Sequence, residues 1–412
     1  MKPFFEVTTI DKVLEYRFLF TPVGVGSVLL EAAEGRVLAE PAAADGPLPD
    51  FPRATMDGYA VRAASTFGAS ESSPAFLIVR GAIPMGVSPD FSVGPGEAAR
   101  IATGGMLPDG TDAVVMIEHT DALDDETIEV YRSVAPGQHV IQVGEDVAEG
   151  AVMLKPGRRI GPAEAGLLAA FGMERVTVFN PPTVGILSTG DEVVPVGETP
   201  GPGQIRDVNT YTLAAMVKAA GGRPRTYGII ADDYETLRAT VERAVAETDM
   251  VLVSGGSSVG TRDYTVEALS ALPGARLLAH GISISPGKPT ILAAVDKVPF
   301  WGLPGHVVSA MVVFAVVVRP FLHRLSGADD EARFQRRWPA RMTRNVASAQ
   351  GRVDYVRVRL RDENGELRAE PVLGKSGLIH TMVAADGLVA IDMNSEGLDK
   401  GAPVSVIPLI EG

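Results

Sequence analysis

The sequence contains no cysteine. That single absence excludes disulfides, iron–sulfur clusters, thiolate zinc sites and a thiol nucleophile. Histidine is scarce too: six are scattered over 412 residues, none at an i, i+4 spacing with acid partners, so no transition-metal cage is encoded. Any metal should be hard and oxygen-ligated, such as Mg²⁺. No run of Lys or Arg relieves a formal charge of −14, which argues against a nucleic-acid-binding surface. An anionic ligand would need local cations, a metal ion or oriented N–H groups, because the global field opposes it.

Long apolar runs are nearly absent as well. Val307 to Val318 is apolar throughout apart from Ser309, shorter than the roughly 20 residues that span a bilayer. It predicts a helix buried on all sides, and no membrane span is expected. Met1 to Phe20 has charges distributed through it rather than a basic segment followed by an apolar core, so no signal peptide is expected and the location expected is cytoplasmic. With 46% hydrophobic and 21% charged residues, the composition is that of an ordinary folded protein whose length suggests two to four domains.

Texture along the chain divides it. Residues 8 to 40 read as helical from Ile10, Val13, Leu14, Phe18, Val28, Leu29 and Ala32. Pro41 to Pro52 is a connector, and short β-type runs with turn residues follow to about 146. A helical stretch returns at Pro162 to Phe171, so the β-rich block looks inserted into a discontinuous domain. From 183 to 326 strands and helices alternate, which predicts a mostly parallel sheet covered by helices on both faces. The remainder is β-like, with a hairpin turn at Glu363-Asn364-Gly365-Glu366 and a last strand near Val404 to Ile407 that could close a small barrel. The fold class expected is multidomain α/β: a three-layer α/β/α central domain, a β-rich inserted domain, a discontinuous helical or linker domain and a C-terminal small β-barrel. The boundaries read are 1–45 with 147–180, 46–146, 181–327 and 328–412.

Four glycine-rich loops, each after an apolar run, carry the strongest functional signal. They are Ser188-Thr189-Gly190-Asp191-Glu192, Ser254-Gly255-Gly256-Ser257-Ser258, Ser285-Pro286-Gly287-Lys288-Pro289 and Gly302-Leu303-Pro304-Gly305-His306. Loops at the carboxyl ends of parallel strands converge on the edge where α/β proteins bind ligands. Four of them argue for a site that holds phosphates or another oxyanion. Asp191 and Glu192 after one strand, and Asp232 and Asp233 after another, bring two acid pairs to that edge and point to a Mg²⁺ or metal–phosphate site. One of Asp232 and Asp233 should cap the helix from Tyr234. Asp263 reads either as an N-cap or as a ligand-facing acid. Lys288, clamped between prolines, reads as a positioned cation. Asp57, read by itself, is turn chemistry.

Taken together, these segments resemble the molybdopterin molybdenumtransferase family, MoeA and the gephyrin E domain, over nearly the whole chain. The resemblance is carried by Met56-Asp57-Gly58-Tyr59-Ala60, Arg100-Ile101-Ala102-Thr103-Gly104, Leu107-Pro108, Asp112 to Val115, Gly144-Glu145-Asp146, the loop at 188–192, Ser254-Gly255-Gly256, Asp263-Tyr264, Pro286 to Pro289, and Gly302 to Gly305 with Ser309. It implies a homodimer that takes adenylylated molybdopterin and molybdate, or tungstate, and with Mg²⁺ releases AMP and molybdenum cofactor. An adenylyltransferase or a molybdoenzyme would be a candidate protein partner. By motif position, Asp191, Glu192, Asp232 and Asp263 would serve the Mg²⁺ and pyrophosphate region. The loops of Thr189 and Gly190, of Ser254, Gly255, Gly256, Ser257 and Ser258, and of Gly302, Pro304 and Gly305 would receive nucleotide or phosphate. Lys288, Ser309, Arg357 and Ser376 would hold molybdate, and Asp57, Thr103 and Asp146 would approach from the partner subunit. The chain departs from the family where Ser285 replaces a frequent Lys, where His306-Val307 replaces Asn-Pro, and where Gly374 to Gly377 is shorter. A non-enzymatic dimeric scaffold of the same fold, and an upstream adenylyltransferase matching 183–326 alone, are the competing readings.

Overall fold

Strand and helix signals after residue 182 resolve into one six-stranded sheet. The structure is a computed structural model and describes residues 7–255, 261–328 and 337–409. The strands run in the order Arg223–Ile230, Thr183–Thr189, Met250–Gly255, Val298–Leu303, Ile291–Val295, Ala275–His280. The first four are mutually parallel; Ile291–Val295 runs antiparallel to them, and Ala275–His280 pairs antiparallel with Ile291–Val295. Thr183–Thr189 and Met250–Gly255 are buried along almost their whole length. That is why they read as continuous apolar runs rather than alternating ones.

Alternate residues of these strands feed two separate cores. Ile186, Leu252 and Trp301 pack with Leu213 and Val217 of the helix Asn209–Ala219 and with the helix after Val307. Leu187, Val251, Val253 and Phe300 pack with Leu237, Val241 and Ala244 of Tyr234–Glu247 and with Ala268 and Leu269 of Thr261–Ser270. The three-layer arrangement therefore follows from the period of two along each strand.

The apolar run at Val307 continues as helix beyond Val318, to Leu325. Its middle, Phe314–Val318, is a π-helical turn between the α-helices Val307–Val313 and Arg319–Leu325. Pro320 has no N–H to return to the preceding turn, so the ladder widens just ahead of it. Among the described residues this is the one helix long and apolar enough to cross a membrane. Here it is a core element: Phe321 meets Trp301 edge-on at 4.9 Å and Phe20 at 5.7 Å.

Residues 8 to 40 depart from the helical expectation. Only Ile10–Glu15 is α-helical, followed by a 3-10 turn at Tyr16–Leu19, and Val25–Leu29 is a strand paired antiparallel with Arg175–Phe179. Pro22, Gly24 and Gly26 stop the helix, and pairing with a distant strand decides the conformation of Val28 and Leu29.

The C-terminal region is a closed five-stranded barrel. Val353–Glu363, Glu366–Pro371, Trp338–Met342, Pro403–Pro408 and Gly387–Ile391 pair in that order, and the last returns to the first. Val358, Ala369, Val389 and Val406 lie in its core. The hairpin at Glu363-Glu366 turns through Asn364 and Gly365, both at positive φ (58° and 82°), as a type I′ turn requires. A short strand from the central domain, Ile284–Ser285, pairs parallel with Val353 and Asp354 and so extends the barrel's sheet.

The chain separates into two compact units. The larger is built from residues up to Glu40, Pro156–Gly166 and from Met173 onward; the smaller is Pro41–Lys155 with Leu167–Gly172. The smaller unit is built on a sheet ordered Ala113–Met116, Gly58–Val61, Glu97–Ile101, Ala75–Ala82, Thr127–Val130, Thr120–Ala122. Ala60, Ala99 and Val114 face one core, and Val61, Ala98 and Val115 face the other.

Candidate functional site

The strand register brings the glycine-rich loops of the central domain to one edge. Thr189 lies beside both Ile230 and Gly255, Ser254 beside Leu303, and Gly302 beside Ile291. The loop at 285–289 reaches this edge by a different route from the one expected. It follows the barrel-paired strand Ile284–Ser285 and leads into Ile291–Val295, which is antiparallel and so begins where its neighbours end. Thr290, fully buried, donates its hydroxyl to the Gly287 carbonyl at 2.7 Å. The Ile282 N–H donates to the Lys288 carbonyl at 2.9 Å. Lys288 is thus an exposed cation on a tied-down backbone.

Gly255 brings two of the loops close together. A Cβ there would stand 2.0 Å from the Thr189 carbonyl oxygen and 2.5 Å from Thr189 Oγ1, and its φ of +133° is one that side chains rarely adopt. Gly256, Ser257 and Ser258 lie outside the described residues, as does the side chain of Asp263 in the helix Thr261–Ser270.

The acids divide their roles. Asp233 caps the Tyr234–Glu247 helix, accepting from the Thr236 N–H at 2.8 Å, and hydrogen bonding from the Thr236 hydroxyl and then its N–H holds the carboxyl below the usual range. The Asp232 N–H donates to Asp191 Oδ1 at 3.0 Å. Its own carboxyl is pushed up, first by burial and then by the negative charges of Asp191 and Glu192. Asp232 Oδ1 is buried with no hydrogen-bond partner among the described residues. The Glu192 carboxylate folds back over Gly190, within 3.0 Å of where a Cβ would stand.

Asp191, Glu192 and Asp232 are therefore neighbours, yet among the described residues no three acidic or histidine side chains form a ready-made metal-ligand group. One Asp191 oxygen is already spent on a backbone N–H. An orphaned, buried carboxylate oxygen with two further carboxylates beside it fits a hard cation arriving with its ligand, since the cation would relieve both burial and repulsion.

Other buried polar atoms at this edge also lack partners among the described residues: Ser254 Oγ, Asn209 Oδ1 and Thr210 Oγ1. Asn209 begins the helix Asn209–Ala219, is 8% exposed, and donates Nδ2 to the Gly305 carbonyl at 2.8 Å. Asp207 accepts from the Thr210 N–H at 3.1 Å. Buried orphans are uncommon in folded proteins, and each calls for a partner such as water, an ion or a ligand.

The fourth loop, after Gly302 and the buried Pro304, runs into the long helix, where Ser309 is buried in the first turn. Here the barrel meets the central domain. His306 Nδ1 and Ser376 Oγ are 2.7 Å apart, and the Val308 N–H donates to the Ser376 carbonyl at 3.1 Å. Arg357 braces the same barrel loop, donating Nη1 to Thr381 Oγ1 and Nη2 to the Gly374 carbonyl, each at 2.6 Å. Desolvation lowers the Arg357 pKa. Ser285 bonds to Asp354, whose carboxyl is opposed by burial but held down by hydrogen bonds from Ser348 and Ser285 and by Arg352.

In the smaller unit, Asp57 and Thr103 form one constellation. Thr103 donates both its N–H (2.7 Å) and its Oγ1 (2.8 Å) to Asp57 Oδ1, and these bonds lower the exposed carboxyl's pKa. Asp57 thus does more than turn the chain. Asp146 is exposed in the same unit, its N–H donated to the Leu48 carbonyl at 3.1 Å.

Reading residues alone overlooked Asn209 and the engagement of His306 with Ser376. An Asn just ahead of an amphipathic run signals a cap, and nothing local shows that its amide reaches Gly305.

Three family models cover most of the chain: "MoeA N-terminal region (domain I and II)" at residues 8–172, "Probable molybdopterin binding domain" at 185–324, and "MoeA C-terminal region (domain IV)" at 339–409. A putative molybdopterin biosynthesis protein of Methanocaldococcus jannaschii is 35% identical over 410 residues, covering 97% of this chain and 96% of its own length. A molybdopterin molybdenumtransferase of Bacillus subtilis is 32% identical over 93% of this chain and 90% of its own. The crystal structure of a molybdopterin biosynthesis moeA protein from Pyrococcus horikoshii OT3 superposes with a TM-score of 0.84 at 31% identity, covering 97% of this chain and 99% of that one.

Proposed function

Because this chain belongs to the MoeA family of molybdopterin molybdenumtransferases, we propose that it acts in molybdenum cofactor biosynthesis by transferring molybdate to adenylylated molybdopterin, with release of AMP. The observation that carries the finer reading is the set of unpartnered buried polar atoms at one sheet edge: Ser254 Oγ at a strand end, Asp232 Oδ1 just past another, and Asn209 Oδ1 on a side chain bonded to Gly305. In this reading the N–H groups of the loops around Gly190, Gly255 and Gly305 face the phosphates. Lys288, with Ser309 and Ser376 on either side of the domain–barrel joint, receives the oxyanion. Arg357 holds the Ser376 loop in register for it.

Asp191, Glu192 and Asp232 would hold Mg²⁺, which supplies neutralisation of the phosphate oxygens as the anhydride bond breaks. Asp57, Thr103 and Asp146 belong to the same reading as groups supplied by a second subunit of a homodimer. The four-part division at 1–45 with 147–180, 46–146, 181–327 and 328–412 is kept with it.

The test is AMP release from adenylylated molybdopterin with Mg²⁺, in the presence and absence of molybdate or tungstate. Oxyanion-stimulated release is expected, and its absence with both oxyanions would overturn the reading.

A further inference from the structure

Asn209 carries an inference of its own, one that rests on the ligand edge being a nucleotide–pterin site. Its amide orientation is not free. The Gly305 carbonyl can only accept, so the group 2.8 Å from it is Nδ2–H₂, and Oδ1 is the oxygen left buried without a partner among the described residues. An unpaired buried amide oxygen is unfavourable, and Asn209 is only 8% exposed. The neighbouring Thr210 Oγ1 is buried and unpartnered too, so two oxygens at one helix start lack partners among the described residues.

An amide oxygen cannot face a phosphate or molybdate oxygen, because two acceptors repel. Everything else proposed for this edge (Lys288, loop N–H groups, a cation at Asp232) attracts anions. A partner for Asn209 Oδ1 must therefore be a donor and not an anion.

We infer that Asn209 Oδ1 accepts a hydrogen bond from the exocyclic amine of the substrate's fused nitrogen heterocycle, while its Nδ2 positions the Gly302–Gly305 loop. Adenine and pterin both carry such an amine, so the chemistry is shared and the experiment separates the sources.

Binding to the full-length protein is measured by calorimetry for two ligand pairs: AMP against purine riboside 5′-monophosphate, and 2-amino-4-oxopteridine against its 2,4-dioxo counterpart. Each pair differs at the amine. One pair is expected to show about tenfold preference for the amine, the worth of a single neutral hydrogen bond, and which pair shows it names the ring. Asn209→Ala should erase that preference while weakening both members through the released loop. Asn209→Asp, of the same size, keeps an acceptor but loses the bond to Gly305, so the preference survives while both ligands weaken.

No preference in the wild type for either pair, or a preference that persists in Asn209→Ala, overturns the inference. Neither arm involves oxyanion or turnover. A failure of oxyanion-stimulated AMP release with the amine preference intact would therefore count against the proposed reaction and not against Asn209.

Discussion

Gly255→Ala tests the claim that two loops are held against each other at the ligand edge. The new methyl would lie 2.0 Å from the Thr189 carbonyl oxygen, against an ordinary carbon–oxygen contact of roughly 3.3–3.6 Å, so the ends of two adjacent parallel strands must part by about 1.3 Å. Placing alanine at a φ of +133° adds about 1–3 kcal/mol of backbone strain, and forcing an extra methyl into a packed contact adds about 1–3 kcal/mol more. A loss near 4 kcal/mol is expected, read as a lowered urea midpoint at unchanged slope. Under the proposed function, displacement on the ångström scale at these loops should reduce oxyanion-dependent AMP release about 100-fold. Gly351→Ala is the control, since Gly351 has a φ of +89° but nothing within 4 Å of its Cβ position. It should show the strain alone and full activity. A Gly255→Ala protein with wild-type midpoint and rate would refute the reasoning.

Lys288→Ala should weaken molybdate binding by about 1.5–3 kcal/mol, the worth of a charge-assisted hydrogen bond, and calorimetry with molybdate checks it; unchanged affinity removes Lys288 from the oxyanion site. Asp232→Asn should move stability and function in opposite directions. A carboxyl whose pKa is raised in the folded state contributes stability below its unfolded pKa and loses it as pH climbs through the folded value. The neutral amide should therefore stabilise the metal-free protein at pH 7 by about 1 kcal/mol after screening, while Mg²⁺ affinity falls. In the wild type, Mg²⁺ affinity should drop as pH is lowered, with a midpoint above the ordinary aspartate value, and Asp232→Asn should flatten that dependence when Mg²⁺ binding is titrated across pH. Arg357→Lys keeps the charge but cannot span Thr381 Oγ1 and the Gly374 carbonyl together; steady-state kinetics should show a raised KM for molybdate with kcat less affected.

The central domain was the most legible part of the chain, for a physical reason. Strands buried on both faces, such as Val184 to Leu187 and Met250 to Val253, become uninterrupted apolar runs, and the loops after them need glycine where backbones crowd. The hairpin at Asn364-Gly365 was legible because only a few dipeptides accept positive φ twice. The N-terminal segment was not, because Val28, Leu29 and Ala32 satisfy a helical spacing while the strand conformation is imposed by Arg175–Phe179. The candidate site was legible in its charges and glycines, which announce themselves locally. The bond from Asn209 to Gly305 and the contact of His306 with Ser376 were hidden, because each joins segments far apart in sequence through side chains with an ordinary local explanation.

The strand Ile284–Ser285 has a mechanical consequence. It leaves the central domain, hydrogen-bonds to Val353 and Asp354 of the barrel, and returns three residues later carrying Lys288. The barrel and the lysine are thus geared together: the barrel cannot tilt without dragging the root of the cationic loop, and the second tether at Ser376 pulls on the helix that loop rests against. Any displacement of the barrel against the central domain therefore loads two backbone attachments at once, the strand pairing at Ile284–Ser285 and the bond from Val308 to Ser376.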